Sequence, residues 1–187
     1  MAFPKFWNSD SKQIRKSSDS LYSGMAAASL RPVLYEQGAA IDSFEGRAAM
    51  ITIHATLVLG RLGRINTTRA RKIAERLNTT VLDQFDAAYR ETGVGDSSIA
   101  RKVRKLAEVH YGLGKALTEA VYKSGEDSTK AVIACIQRNA LSEAGRERLL
   151  ALYLLHNRHR LDALDDDTVL AGDFDWALPA DDEPSST

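Results

Sequence analysis

The 187-residue sequence has a single cysteine, and this scarcity limits the classes of protein to which it can belong. Cys135 has no second cysteine with which to form an internal disulfide, so a disulfide-stabilised secreted scaffold is excluded. Met1 is also not followed by the basic segment, apolar segment and cleavage site that mark a secretory signal peptide. We therefore expect a cytoplasmic protein.

Proline and glycine are scarce too, at 4 and 12 residues. A β-sheet needs frequent turns, which these residues commonly supply, whereas abundant alanine, leucine, arginine and glutamate favour helices. The longest stretch without a charged residue, residues 48–60, is 13 residues long and contains His54. A helix needs roughly 20 apolar residues to span a bilayer. The composition predicts an all-α fold in which this stretch is a buried core helix and not an anchor.

The formal net charge of zero conceals an uneven distribution. Nine acidic residues and no lysine or arginine lie between Asp162 and the C-terminus, so residues 1–161 hold 25 cations against 25 − 9 = 16 acids. A body with a balance of +9 favours an anionic partner, such as RNA, lipid head groups or an acidic protein, although the acidic end can screen it.

Apolar spacing along the chain predicts one compact domain of about six helices. Residues 1–18 lack a sustained apolar stripe and are expected to form a flexible N-terminal arm. Residues 19–176 are expected to form the helical domain, and residues 177–187 a disordered acidic tail. The arm contains three aromatic residues that offer a possible membrane contact: Phe3, Phe6 and Trp7.

Capping signals predict where several helices begin and end. The first helix is expected over residues 19–30, because Pro32 disfavours helical geometry in the residue before it. Asp42, with Glu45 three positions later, has the spacing of a capping box and predicts the start of a long helix. A last helix is expected over residues 142–164, followed by a docking segment at residues 165–176.

The stretch RETGVGDSSIARKVRKLAEVHYG, residues 90–112, combines a glycine corner with a cationic helix. Gly93 or Gly95 can end one helix, and Asp96 can cap the next. At 100° per residue the apolar positions of the second helix share one side, and the cations lie opposite. The apolar positions are Ile99, Val103, Leu106, His110, Leu113 and Leu117. The opposite face carries Arg101, Arg104 and Lys105, with Glu108 close enough to pair with part of that charge.

Three interpretations of this stretch are conceivable: a phosphate cradle, a nucleic-acid reader or a corner between helices. A phosphate cradle is disfavoured, because the third glycine of a dinucleotide fingerprint and the Lys-Ser or Lys-Thr pair of a P-loop are missing. A solvated helix face and a partner-binding face both fit the spacing.

Catalytic and metal-binding patterns are not found. His54 and His110 lie among apolar positions, where a packed structural histidine is more common than a metal ligand. Cys135 lies in an apolar run, and no nucleophile elbow of the GxSxG type occurs. The sequence therefore predicts a protein that binds a partner, with no enzyme activity, no cofactor and no metal.

Five segments together resemble the ubiquinol-cytochrome c chaperone family over residues 20–175. They are LYSGMAAASLRPVLY, DSFEGRAAMITIHATLVLGRL, AAYRETGVGDSSIARKVRKLAEVHYG, IQRNAL and LAGDF, in the order seen in that family. The most specific parts are FEGR with the following IHATLVLGRL, and YRETGVGDSSIARKVRK.

The resemblance implies a mostly helical, non-enzymatic assembly factor for the cytochrome bc complex, respiratory complex III. Mitochondrial relatives act on newly made cytochrome b and associate with the ribosome that makes it. Because no presequence is apparent, the chain is similar to a bacterial member, expected in the cytoplasm or at the cytoplasmic face of the inner membrane. DNA is not an expected partner. An RNA- or ribosome-binding adaptor and a peripheral membrane protein are the alternatives.

Within this resemblance, the cationic helix is the leading candidate for contact with cytochrome b or with another assembly protein. Its residues are Arg101, Lys102, Arg104 and Lys105, joined by the corner residues Gly93, Gly95 and Asp96. Arg47 and His54, seven positions apart, are second candidates. Arg47 has an alternative structural role, as the ion-pair partner of Asp96 or of another buried acid.

Overall fold

The computed structural model describes residues 6–91, 96–123 and 125–179. Within these ranges it contains eight α-helices and no strand, which confirms the all-α fold. The helices are α1 (Phe6–Ser29), α2 (Pro32–Glu36), α3 (Phe44–Ile65), α4 (Thr68–Glu91), α5 (Asp96–Val121), α6 (Glu126–Arg138), α7 (Glu147–Ala163) and α8 (Asp166–Ala171).

Helix α1 begins at Phe6, which corrects the expectation of a loose arm over residues 1–18 for the part from Phe6 onward. Ile14 packs against the core and Leu21 and Met25 are buried, so one apolar face extends along the helix. This face packs against α3 and α4. Tertiary packing of one face stabilises a helix whose exposed residues are mostly polar.

Helix α3 is the central helix, and α1, α4, α5 and α7 all contact it. By length and composition alone α3 could cross a membrane, but 61% of its most apolar window is buried inside the protein. The predicted core helix is therefore confirmed. Its N-cap is Ser43 and not Asp42, because the Ser43 hydroxyl accepts a hydrogen bond from the Gly46 amide at 3.0 Å.

Helix α4 begins after Thr67, whose hydroxyl accepts a hydrogen bond from the Ala70 amide at 3.1 Å, the usual contact of an N-cap residue. Helix α7 begins at Glu147, later than expected. The preceding residues form turns, in which Ala140 and Gly145 have φ values of +48° and +84°. Left-handed backbone of this kind interrupts an α-helix.

The predicted docking segment is confirmed. Asp165 caps α8 by accepting a hydrogen bond from the Thr168 amide at 2.9 Å, and the Trp176 side chain beyond α8 is buried in the core. Arg31 donates hydrogen bonds to the carbonyl oxygens of Trp176 and Ala177, at 2.9 and 3.0 Å. The expected disordered tail therefore does not begin at residue 177, and residues 180–187 lie outside the described ranges.

Candidate partner-binding surface

Helix α5 has the two faces that its sequence predicts. Ile99, Leu106 and Leu113 are buried against the bundle. Three cations are exposed on the other side of the helix: Arg101, Arg104 and Lys105. An amphipathic helix of this kind is fixed by its apolar side and leaves the other available for contact.

The charge on this exposed side is not neutralised within the described part of the chain. No ion pair there involves Arg101, Arg104 or Lys105, and Glu108 forms none with the two nearest cations, contrary to the expected side-chain pairing. Exposed ion pairs contribute little to stability, but an unpaired cluster produces a local positive potential. The three side chains are therefore suited to an anionic group on a partner.

Lys102 differs from its neighbours because it is half-buried. Its Nζ lies 5.8 Å from the centre of the Tyr89 ring, within the range of a cation–π contact. The Tyr89 ring in turn lies 4.4 Å from the ring of Phe44, the first residue of α3. Lys102 therefore lies where α5 meets α4 and α3.

Arg47, one turn into α3, is exposed and pairs with Asp42. Its Nε donates to Asp42 Oδ1 at 2.9 Å, and its guanidinium lies 5.1 Å from the centre of the Tyr35 ring. Burial raises the pKa of Tyr35 to about 12, although the Arg47 charge opposes that rise. Asp42 is exposed, so among the described side chains Arg47 pairs with an exposed acid and not with a buried one. The suggested pairing with Asp96 involves a side chain outside the described ones.

His54 does not belong to any surface, because its side chain is fully buried. Its Nδ1 donates to the Met50 carbonyl at 2.8 Å, and its Nε2 accepts from the Tyr153 hydroxyl at 2.8 Å. The Trp176 ring lies at 4.7 Å in an edge arrangement. Burial lowers the pKa of His54 to about 4, so the ring is neutral at pH 7. The packed structural role is confirmed, and His54 cannot contact a partner in this folded state.

His110 is also buried, and it belongs to a hydrogen-bonded network that the sequence did not predict. Its Nδ1 lies 2.9 Å from the Thr52 hydroxyl, and its Nε2 lies 3.2 Å from Asn78 Oδ1. Asn78 Nδ2 donates to the Tyr111 hydroxyl at 2.9 Å, and burial lowers the pKa of His110. This hydrogen-bonded network joins α3, α4 and α5 and so fixes the rotation of α5 about its axis. Its sequence signal is weak, because nothing in the spacing of Thr52 on α3 and Asn78 on α4 indicates that both side chains meet His110.

Other predicted site residues lie beyond these observations. Gly93 and Gly95 are outside the described residues, and of Asp96 only the backbone position at the start of α5 is described. Their part in the surface stays a prediction. Among the residues that the structure describes, no group of three His, Cys, Asp or Glu side chains could hold a metal ion.

Comparisons with known proteins identify a family and a similar fold. The family described as ubiquinol-cytochrome C chaperone matches residues 37–176. A solved structure, the crystal structure of the Cbp3 homolog from Brucella abortus, is similar with a TM-score of 0.79 and 24% sequence identity. The similarity covers 93% of this chain and 96% of that one, and at this identity it shows a shared fold. No curated protein matches the chain.

Proposed function

Because the chain belongs to the ubiquinol-cytochrome c chaperone family, we propose that it is a non-enzymatic assembly factor for the cytochrome bc complex. In this proposal the chain binds newly made cytochrome b through the cationic face of α5, formed by Arg101, Arg104 and Lys105. An assembly factor needs a surface that recognises its client and needs no reaction chemistry.

The observation that carries this proposal is the exposed, unpaired charge of α5 on a rigidly held helix. The hydrogen-bonded network around His110 connects the buried side of α5 to α3 and α4. The helix that carries the cations therefore keeps a fixed position, which lowers the entropic cost of binding. Charge complementarity with an acidic or carbonyl-rich client segment raises both the association rate and the selectivity.

Three neighbouring features extend the proposed surface. Lys102 lies at its border, held against Tyr89, and Arg47 follows Phe44 at the start of α3. The corner containing Gly93, Gly95 and Asp96 directly precedes the cations in sequence. We assign these residues to the edge of the client contact and expect smaller effects there than at the exposed cations.

Charge reversal tests the proposal. A strain lacking the protein is complemented with the triple variant Arg101→Glu, Arg104→Glu and Lys105→Glu, and cytochrome b content and bc complex activity are measured. Both should fall towards the level of the deletion strain, and tagged variant protein should no longer recover cytochrome b. Thermal unfolding of the purified variant shows that the fold is retained.

The matched control changes the same amount of charge at exposed positions on other elements: Lys123→Glu, Lys130→Glu and Arg148→Glu. This variant should support normal bc complex assembly. Normal assembly with the α5 variant would refute the proposed surface, whereas normal assembly in the deletion strain itself would refute the family-based function.

The basic body of the chain favours a second candidate, an RNA- or ribosome-binding adaptor acting through phosphates. Binding to ribosomes that weakens steeply with salt would support it, because each neutralised phosphate releases counterions. Such binding is compatible with a cytoplasmic location, and it can coexist with binding of cytochrome b.

A further inference from the structure

A second cationic region lies between the first turns of α1 and the first turns of α4, far from the proposed client surface. Lys72 in this region and Tyr89 beside Lys102 are 17 positions apart on α4. At about 1.5 Å per residue this corresponds to roughly 26 Å along the helix axis. The two cationic regions are therefore near opposite ends of the bundle.

Two adjoining cavities form a groove here. One has a volume of about 370 Å³ and is lined by Ser11, Ile14, Lys72, Glu75, Arg76 and Thr79. The other has a volume of about 270 Å³ and is lined by Asp10, Gln13, Ile14, Thr68, Arg69 and Lys72. Because Ile14 and Lys72 line both, the groove has a continuous wall with an apolar position and a cation at its centre.

The residues that line the groove carry more positive than negative charge. They include three cations, Arg69, Lys72 and Arg76, and two acids, Asp10 and Glu75. In the described part of the chain, Arg69, Lys72 and Arg76 make no ion pair.

Arg69 also has one nitrogen atom without a hydrogen-bond partner. Its Nε is buried and has no hydrogen-bond partner within the described residues. A buried polar group without a partner is costly, and that cost would be relieved if the Arg69 side chain moved so that Nε reached an anionic oxygen in the groove.

We propose that this groove binds the phosphate-bearing head groups of an anionic lipid surface. Cavities of this size accommodate single head groups, and an apolar position between cations suits the boundary between head group and acyl chain. In the sequence, Phe6 and Trp7 are the first two residues of α1, at the same end of the bundle. Aromatic residues next to cations are typical of membrane interfaces.

This arrangement places the α5 face about one helix length from the lipid surface, where it is accessible to a client. An RNA ligand is less suited to the groove, because the cations are concentrated around two adjoining pockets and do not form an extended track for successive phosphates. The role of the groove does not depend on what α5 binds.

Vesicle flotation of the full chain tests this proposal, with phosphatidylcholine vesicles and with vesicles that also contain phosphatidylglycerol. The wild type should float only with the anionic vesicles. The variant Arg69→Gln, Lys72→Gln and Arg76→Gln should partition about 100-fold more weakly, because each cation near an anionic surface contributes to binding. The control variant Arg101→Gln, Arg104→Gln and Lys105→Gln, which removes the same charge from α5, should bind like the wild type.

Because Arg69 is partly buried, a second variant changes only the exposed Lys72 and Arg76, and it should partition at least about 10-fold more weakly. Equal losses in the groove and α5 variants would overturn the proposal in favour of diffuse charge. Equal binding to both kinds of vesicle, or none to either, would also overturn it. So would groove-dependent binding of a labelled RNA oligonucleotide or of free glycerol phosphate without any binding to anionic vesicles.

Discussion

Mild acid should destabilise this protein through His54. The ring is fully buried, and burial lowers its pKa from 6.5 to about 4. The unfolded chain therefore takes up a proton at a higher pH than the folded protein does. As the pH falls below 6.5 the unfolded state gains stability relative to the folded state, and this gain grows until the pH reaches about 4.

The hydrogen bonds of the ring explain why the folded state resists protonation. Nδ1 already donates to Met50, so Nε2 must accept from the Tyr153 hydroxyl, and a proton on Nε2 would remove that acceptor. The difference between 6.5 and about 4 corresponds to about 3 kcal/mol at low pH and to about 2 kcal/mol at pH 5. Domains are typically stable by only about 5–15 kcal/mol, so the effect is measurable.

Urea unfolding of the wild type and of His54→Gln between pH 7.5 and pH 5 provides the assay. A difference of about 2 kcal/mol between the pH dependences of the two proteins is resolvable. The variant starts from a lower stability at neutral pH but should lose about 2 kcal/mol less on acidification. His110, whose pKa burial also lowers, leaves a residual slope in both proteins. Asp165 acts outside this window, because its lowered pKa supports stability that is lost only as the pH falls below 3.8. Parallel pH curves for the two proteins would refute the reasoning.

Three further substitutions test the packing. Gly46→Ala should destabilise the fold by about 2 kcal/mol or more, because the added Cβ would lie 2.0 Å from the Ile41 carbonyl oxygen. Gly63→Ala, where a Cβ has open space, should instead stabilise α3 by up to about 1 kcal/mol, and equal urea midpoints for the two variants would contradict this. Trp176→Ala should cost about 3 kcal/mol and move the pKa of His54 towards 6.5, which NMR titration of the imidazole would detect. An unchanged His54 titration would show that Trp176 does not exclude water from the ring.

Local signals predicted the middle helices well. The apolar stretch of residues 48–60 predicted the core helix α3, and its predicted cap at Asp42 lies one residue before the actual N-cap, Ser43. The two faces of α5 follow from the helical period. Prediction was poorer where contacts between residues distant in sequence determine which segments are helical. The first turns of α1 are helical because they pack against α3 and α4, and residues 142–146 are not helical where the Glu143 amide donates to the carbonyl of distant Gly38.

The amino-acid sequence by itself determined the helical class, the cationic side of α5 and the resemblance to a family, because periodicity, charge and motif order are written in neighbouring residues. Only the tertiary structure decided the environment of individual side chains. It buried His54 against Tyr153, 99 positions away, and paired Arg47 with exposed Asp42. It also brought the cations of α4 beside α1 to form a groove. Burial and pairing depend on which helices meet in space, and no local pattern specifies that meeting.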